Sequence, residues 1–332
     1  MRILMIGGTA FVGRHITEAA LRGGHDVTLF HRGQTGGDLF PQARHVIGDR
    51  NDDLSGLAQG TWDATIDVCG YFPRQVRSLA AALGSRGGRH VFISSVSAYS
   101  LSVPWNYDES APLTAVSEPD AATVTNENYG GLKVACERLA TELHGPQTTI
   151  IRPTYVIGPH DRSYRFTWWV ERIAQGGTVL APGDPAEPIQ LIDARDMAGW
   201  VVAMLERSVT GTFHAVNPAP PFTFGDMLAA ITAAVGPPGT ELTWVPSDFL
   251  LAEGRTESEL PLWPGGDEEA GSNLSAASPA AAFAAGLRPR PLRETIADIR
   301  AEERARGSRR QGVGIAPDRE AGLLARWAAK SG

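Results

Sequence analysis

Tyr129 and Lys133, in the run Tyr-Gly-Gly-Leu-Lys, are the residues whose types and spacing most directly imply chemistry. Lys133 is one of only two lysines, the other being Lys330, and positive charge is otherwise carried by arginine. A lysine kept mid-sequence suggests a compact point charge on a flexible stem, which the planar, always-protonated guanidinium cannot replace. Four residues apart on a helix, the two side chains share one face. There the ammonium can stabilise a phenolate and make Tyr129 a proton donor or acceptor near neutral pH.

Such a pair needs something to act with, and the first residues of the chain supply a candidate. An apolar run, residues 2–7, leads into Gly7-Gly8-Thr9-Ala10-Phe11-Val12-Gly13, then a helix-like stretch Arg14 to Arg22, and a second strand, Asp26 to Phe30. Strand, glycine turn, helix and strand within about 30 residues is the unit expected of a dinucleotide-binding βαβ. Backbone N–H groups of such a turn approach a pyrophosphate at the positive end of the helix. Gly7, Ala10 and Gly13 recur at intervals of three, with alanine in the middle place. After the second strand come His31 and Arg32 instead of the Asp or Glu that would bond the ribose hydroxyls of NAD. No carboxylate repels a 2′-phosphate there and a guanidinium can bind it, so NADP(H) is expected ahead of NAD. Asp49, after the third strand, could accept a bond from the adenine amino group, or simply belong to a loop.

The elements that must position these groups read as alternating strands and helices. Further strands are expected at Arg44 to Ile47, Ala64 to Val68, His90 to Ser94 and Thr148 to Arg152, with helices at Arg74 to Leu83 and Tyr129 to Leu143. That alternation predicts an α/β fold, a doubly wound parallel (Rossmann) sheet with a smaller mixed C-terminal domain. Residues 1–155, with 189–217 returning to them, form the expected dinucleotide-binding domain; 156–188 and 218–332 form a substrate domain and tail. A helix is expected at Arg165 to Gln175, another over 222–235 opened by Thr223 and Asp226, and Leu180 to Pro188 is rich in Pro and Gly. Pro246 to Pro291 shows little periodicity, and Leu323, Leu324 and Trp327 form a packing stripe.

Bulk properties narrow the partners. A net charge of −7 opposes general nucleic-acid binding, and the cluster Arg300 to Arg310 is interleaved with Glu302 and Glu303, as on a solvated helix. No apolar stretch approaches a membrane span. Cys69 and Cys136 form no disulfide framework, which suits a reducing cytoplasm, and no metal ligand set is assigned.

Taken with Phe92-Ile93-Ser94-Ser95-Val96-Ser97-Ala98-Tyr99, Arg152-Pro153-Thr154-Tyr155-Val156-Ile157-Gly158-Pro159 and Ile192-Asp193-Ala194-Arg195-Asp196, these motifs resemble the extended, partly atypical short-chain dehydrogenase/reductase superfamily over roughly residues 1 to 220. The rest resembles nucleoside-diphosphate-sugar epimerases and the bacterial reductases grouped with them. By this resemblance Ser95 matches the catalytic Ser/Thr, Tyr129 the proton-transferring tyrosine, and Lys133 the lysine that bonds the nicotinamide ribose. Pro153, Tyr155 and Val156 match the segment against the nicotinamide. Asp49, Arg50, Val68, Cys69 and Gly70 match adenine and ribose contacts. A hydride delivered to a carbonyl leaves an alkoxide needing a proton and an oriented hydrogen bond, which Tyr129 and Ser95 would supply.

The departures carry information too. Val96 and Ser97 stand where sugar 4,6-dehydratases place an Asp-Glu pair, which argues against that reaction. The alanine at the second glycine and the missing acid at His31 are shared with atypical branches that include reductases and RNA-associated homologues. For the substrate, Tyr71, Trp105, Tyr155, Phe166, Trp168 and Trp169 could line an apolar or ring-shaped ligand, and Arg162 or Arg165 could meet a diphosphate. Core packing competes with ligand contact for the tryptophans, and adjacent Trp168 and Trp169 point different ways on a helix. The expectation is an NADP(H)-dependent oxidoreductase acting on a carbonyl, imine or alcohol of a small cyclic metabolite. A nucleotide-sugar epimerase with tightly held cofactor and a non-catalytic dinucleotide-binding protein remain open. The resemblance also implies a dimer through the helices near Arg74 to Leu83 and Tyr129 to Leu143, with a monomer left open.

Overall fold

A computed structural model describes residues 1–255, 258–265, 272–307 and 312–331. In chain order the first elements are β1 (Arg2–Ile6), α1 (Phe11–Arg22), β2 (Asp26–His31), β3 (Arg44–Ile47), β4 (Ala64–Asp67) and α2 (Pro73–Leu83). There follow β5 (Arg89–Ile93), α3 (Asn126–His144), β6 (Thr148–Pro153), β7 (Tyr155–Ile157), α4 (Arg165–Ile173), β8 (Thr178–Pro182) and β9 (Leu191–Asp193). The remainder comprises α5 (Ala194–Glu206), β10 (Gly211–Ala215), α6 (Phe224–Val235), β11 (Glu241–Val245), α7 (Ser247–Ala252), α8 (Ala280–Ala284), α9 (Leu292–Arg306) and α10 (Pro317–Ser331).

The chain divides into two units. The first comprises Met1–Val156, Ile192–Asn217 and Ala277–Pro289, so the sheet domain gains a third stretch beyond the two expected. Its seven strands are all parallel in the order β10-β6-β5-β4-β1-β2-β3. Both faces are covered, and the alternation along β1 shows it. Ile3 and Met5 join a core cluster with Ile16 of α1 and Met197 and Val201 of α5. Leu4 and Ile6 point the other way, packing with Leu79 and Leu83 of α2. Cys136, Leu139 and Ala140 of α3 extend that second layer against Phe92 and Ile150. This is the doubly wound sheet that near-continuous apolar strands imply. The strand order reverses between β1 and β4, and the crevice beyond their carboxyl ends is where such sheets bind ligands.

The second unit comprises Ile157–Leu191, Pro218–Ala276 and Arg290–Gly332, of which the described residues include the parallel pair β8–β11 and helices α4, α6, α9 and α10. Strand β8 runs into the Pro- and Gly-rich segment. Thr223 caps α6, its side chain accepting from the Asp226 N–H while Asp226 accepts from the Thr223 N–H, as the sequence implies. The basic cluster lies on α9, which ends at Arg306; Ser308 to Arg310 fall outside the described residues. Leu323 of the C-terminal stripe is buried. Among the described residues no helix is long and apolar enough to cross a membrane.

Candidate functional site

The glycine turn joins β1 to α1 through Gly7 and Gly8, whose φ values of +101° and +96° lie in the region glycine tolerates and other residues do not. Gly13 is needed for a different reason: a Cβ there would lie 2.8 Å from the Gly8 nitrogen. The Thr17 hydroxyl, 3.0 Å from the Gly8 carbonyl and 2.9 Å from that of Gly13, stitches the turn to the helix. Ala10 occupies the N-cap without any side-chain cap, and no acidic residue stands in the first turn of α1. The positive end of the helix, at Phe11, Val12 and Gly13, is therefore left for an external anion. Thr9 is buried behind the turn and Val68, after β4, forms its wall against Gly7. These residues fit a pyrophosphate.

At the end of β2 the two expected contacts separate. The Gly33 N–H donates to His31 Nδ1 at 3.1 Å, so the proton of His31 sits on Nε2. That proton faces His45 Nδ1 at 2.9 Å, and His45 Nε2 in turn donates to the Phe40 carbonyl at 3.2 Å. The relay requires both rings neutral, and burial pushes the His31 pKa down. His31 thus braces the loop and does not face outward. Arg32 is exposed, and among the described residues no acid pairs with it.

The adenine side also differs from expectation. Arg50 is turned inward, its Nη1 and Nη2 donating to the two carboxylate oxygens of Asp67 at 2.6 and 2.8 Å. Asp67 is completely buried, and the guanidinium opposite holds its pKa below the usual carboxylate range. Arg50 therefore builds the wall of the crevice and offers it no free fork of donors. Asp49 accepts from the Asn51 backbone and side chain, at 2.9 and 3.1 Å. Cys69 hands its thiol proton to the Ile6 carbonyl, 3.4 Å away, and burial raises its pKa. Asp67 is the residue sequence reasoning missed, because a lone acid ending an apolar strand carries no local signal.

Ser95 follows β5 and caps a short 3-10 turn, Val96–Ala98, its Oγ accepting from the Ser97 N–H at 3.1 Å. Helix α3 docks directly on that turn. The two glycines between Tyr129 and Lys133 make the approach feasible, since a Cβ on Gly130 would lie 2.1 Å from the Ser97 carbonyl oxygen. On Gly131 it would lie 2.7 Å from that of Ala115. Mid-helix glycine costs about 0.5–1 kcal/mol relative to alanine, and here it permits close approach to the Ser95 turn. Gly130→Ala is expected to lose about 1–3 kcal/mol of stability by overpacking and to lose turnover as α3 is displaced. Gly199→Ala on α5, with nothing within 4 Å of the new Cβ, should instead gain about 0.4–1 kcal/mol. Denaturant titration of both variants tests the contrast.

Lys133 reaches beneath the carboxyl ends of the central strands, only 3% exposed. Its Nζ donates to the carbonyls of Gly70 at 3.0 Å and Ile93 at 2.9 Å, at the ends of β4 and β5. It lies 5.9 Å from the centre of the Tyr129 ring, which is half-buried. Burial pushes the Lys133 pKa down. Ser95, Tyr129 and Lys133 therefore share one helix–turn junction. One turn further along α3, Glu137 takes Arg152 in a bidentate pair, and the same guanidinium donates to the Tyr99 hydroxyl. That hydroxyl meets His214 Nε2 at 2.6 Å. The network locks α3, β6, β10 and the segment after Ser95 to one another.

Of the remaining candidates, Pro153 ends β6, buried, with Tyr155 and Val156 half-buried just beyond it. Tyr71 and Trp105 are exposed by 42% and 46%, each available to a ligand. Arg165 opens α4, half-buried, with its Nε 3.4 Å from the Ser163 hydroxyl. Trp169 is fully buried and its indole N–H donates to the Pro261 carbonyl at 2.5 Å. It packs edge-on against Trp168 and Phe224, so both tryptophans are core residues of the second unit.

The profile of the NAD dependent epimerase/dehydratase family matches residues 3–217. The chain belongs to this family. The family match places it among the extended short-chain dehydrogenases/reductases, enzymes of oxidoreductase or epimerase type that use a nicotinamide dinucleotide, and solved structures share its fold. The chain is 26% identical, over 75% of its length and 67% of the relative's, to the chloroplast stem-loop binding protein of 41 kDa b from Arabidopsis thaliana. It is 27% identical over a shorter stretch, 23% of this chain and 26% of the other, to a bifunctional pinoresinol-lariciresinol reductase of Linum album. Among solved structures, the Bordetella bronchiseptica enzyme WbmH in complex with NAD+ superposes with a TM-score of 0.69 at 18% identity, covering 92% of this chain and 99% of that one.

Proposed function

We propose that this family member is an NADP(H)-dependent oxidoreductase that converts a carbonyl or imine carbon of a small cyclic metabolite, or the corresponding alcohol, with Tyr129 as its acid/base. The observation that carries this reading is the docking of α3 on the Ser95 turn at Gly130, with the Lys133 ammonium buried beneath Tyr129. When bound, the dinucleotide supplies the hydride acceptor or donor. The chain's residues do the rest. The open end of α1 holds the pyrophosphate, Ser95 orients the substrate oxygen, and Tyr129 gives it a proton or takes one. Lys133 has three N–H donors and uses two on carbonyls, leaving one for a ribose hydroxyl. Asp49, Val68, Cys69 and Gly70 line the adenosine side, and Pro153, Tyr155 and Val156 follow β6 towards the nicotinamide. Arg32 selects the 2′-phosphate. Tyr71 and Trp105 offer aromatic surface to the substrate.

The family match favours a second reading, an epimerase that keeps its cofactor. Absorbance of the purified protein separates the two: cofactor retained through gel filtration supports the epimerase, free exchange of NADPH the reductase. Arg32→Asp tests the selectivity. It should weaken NADPH binding at least about tenfold, the loss of a charged hydrogen bond of about 1.5–3 kcal/mol, and leave NADH binding equal or better. Unchanged preference for NADPH in calorimetric titrations would remove the argument. The stem-loop binding name of the Arabidopsis relative does not transfer readily to a chain of net charge −7. A non-catalytic role leaves the combination of Ser95, Tyr129 and Lys133 without a purpose. A dimer through α2 and α3 would cover the exposed Leu143 together with Arg74, Arg77, Arg138 and Glu142. With few cysteines and no disulfide framework, a reducing cytoplasm suits it.

A further inference from the structure

The Lys133 ammonium is a buried cation without a buried counter-ion. The carboxylates nearest in charge, Asp67 at the end of β4 and Glu137 on its own helix, are each committed to a bidentate arginine, Arg50 and Arg152. Among the described residues Lys133 has no ion pair of its own. Two backbone carbonyls meet two of its protons, and three aromatic rings flank it. The ring centres of Phe92, Tyr71 and Tyr129 lie 4.9, 5.0 and 5.9 Å from Nζ. A desolvated cation within about 6 Å of an aromatic face is stabilised by the ring quadrupole.

Phe92 is fixed, buried in β5. Tyr71 is held from the other side. Its backbone N–H donates to Gln75 Oε1 at 2.8 Å, and Gln75 Nε2 donates to Asn51 Oδ1 at 2.8 Å. Gly70 lets that loop close on Phe92, because a Cβ there would lie 2.5 Å from the ring. Tyr71 is thus half open to solvent on one face and covers the ammonium with the other.

We infer that Tyr71 is a positioning residue for the reaction: with Phe92 and Tyr129 it forms an aromatic cage that keeps the Lys133 ammonium charged and in place beneath Tyr129. Its part in turnover rests on the acid/base reading of Tyr129; the cage itself does not. The remaining titratable neighbours are Cys136 on α3 and Cys69 after β4, both thiols whose pKa burial raises, Cys136 to about 12. Tyr71 itself is also raised by burial. All three stay neutral near pH 7, so the rings add to what the arginine-paired Asp67 and Glu137 supply from further off.

The chain has two lysines, so 13Cε-lysine labelling of the whole protein gives two NMR signals, with Lys330 as internal control. Lys133 should titrate below the ordinary lysine value of about 10.4. Tyr71→Phe keeps the ring and should leave that midpoint where it is. Tyr71→Leu keeps apolar bulk without a π face and should lower it by about 0.5 or more. Tyr71→Met should behave as Tyr71→Leu does, and stands in for it should that variant fold poorly. The pH–rate profile should move in the same variants and not in Tyr71→Phe. An unchanged or raised Lys133 midpoint in Tyr71→Leu and Tyr71→Met overturns the cage. A lowered midpoint with an unmoved rate profile keeps the cage and sinks its catalytic role. Because the titration needs no turnover, failure of the oxidoreductase reading registers separately, as full activity in Tyr129→Phe.

Discussion

Tyr129→Phe is expected to lower kcat by about 10²–10⁴-fold while leaving NADPH affinity nearly unchanged. The substitution removes one hydroxyl from a half-buried ring and leaves Gly130 docked on the Ser97 carbonyl, so the fold and the glycine turn stay as they are. What is lost is the proton for the substrate oxygen, a group that acts on the transition state more than on the bound substrate. The loss should therefore fall on kcat and kcat/KM together. Lys133→Met should reproduce much of it and also destabilise, because the carbonyls of Gly70 and Ile93 would lose their buried donor. Stopped-flow measurement of single turnovers, with nucleotide binding measured separately, distinguishes the two. A Tyr129→Phe enzyme with wild-type single-turnover rate would remove the tyrosine from the chemistry.

The largest stability effect is expected at Asp67. Asp67→Ala leaves the buried Arg50 guanidinium without its carboxylate, and such a loss costs about 3–5 kcal/mol. The damage would be local to the cofactor crevice, because Asp67 Oδ1 also accepts from the Cys69 N–H at 3.1 Å and Val68 walls the glycine turn. Replacing both partners, as in Arg50→Met with Asp67→Leu, should recover most of the lost stability, since no unpaired charge remains. The pH dependence follows from the direction of the shift. Asp67 has a folded pKa below its ordinary value of 3.8. Its contribution is therefore present in full above that value and is lost as the pH falls through the depressed one. The double variant should lack this part of the acid destabilisation. Urea titrations of wild type, single and double variants between neutral and acid pH check all three expectations. A double variant no more stable than Asp67→Ala would mean that the pair supplies net stability instead of merely avoiding a buried charge.

The alternation of apolar strands with helices made the sheet legible, because a strand buried on both faces needs no partner to be recognised. The short strands of the second unit were less so. Thr178–Pro182 starts after Gly176-Gly177 and ends at Pro182-Gly183, and Glu241–Val245 follows Pro237-Pro238-Gly239. Only their pairing with each other makes them strands. The site divides in the same way. Tyr129 and Lys133 announce themselves by helical spacing, and the glycine turn by its place between strand and helix. Asp67 and Phe92 do not. They are register partners on adjacent strands β4 and β5, 25 positions apart in the chain, and each looks locally like an ordinary strand residue. Arg50 reads as an outward cofactor contact until Asp67 is placed opposite it. Trp169 has the composition of a ligand wall, yet the space around it is filled by Trp168, Phe224 and the Pro261 carbonyl. Long-range packing decides such cases, and a single sequence does not contain it in local form.

The most direct test of a dinucleotide site served by Tyr129 is a crystal of the protein soaked with NADPH. The account predicts the pyrophosphate on the N–H groups at the start of α1, the 2′-phosphate within reach of Arg32, and the nicotinamide ring beside the Tyr129 hydroxyl and Lys133. A nucleotide lodged elsewhere, or a glycine turn left empty at saturating NADPH and NADH alike, would contradict it.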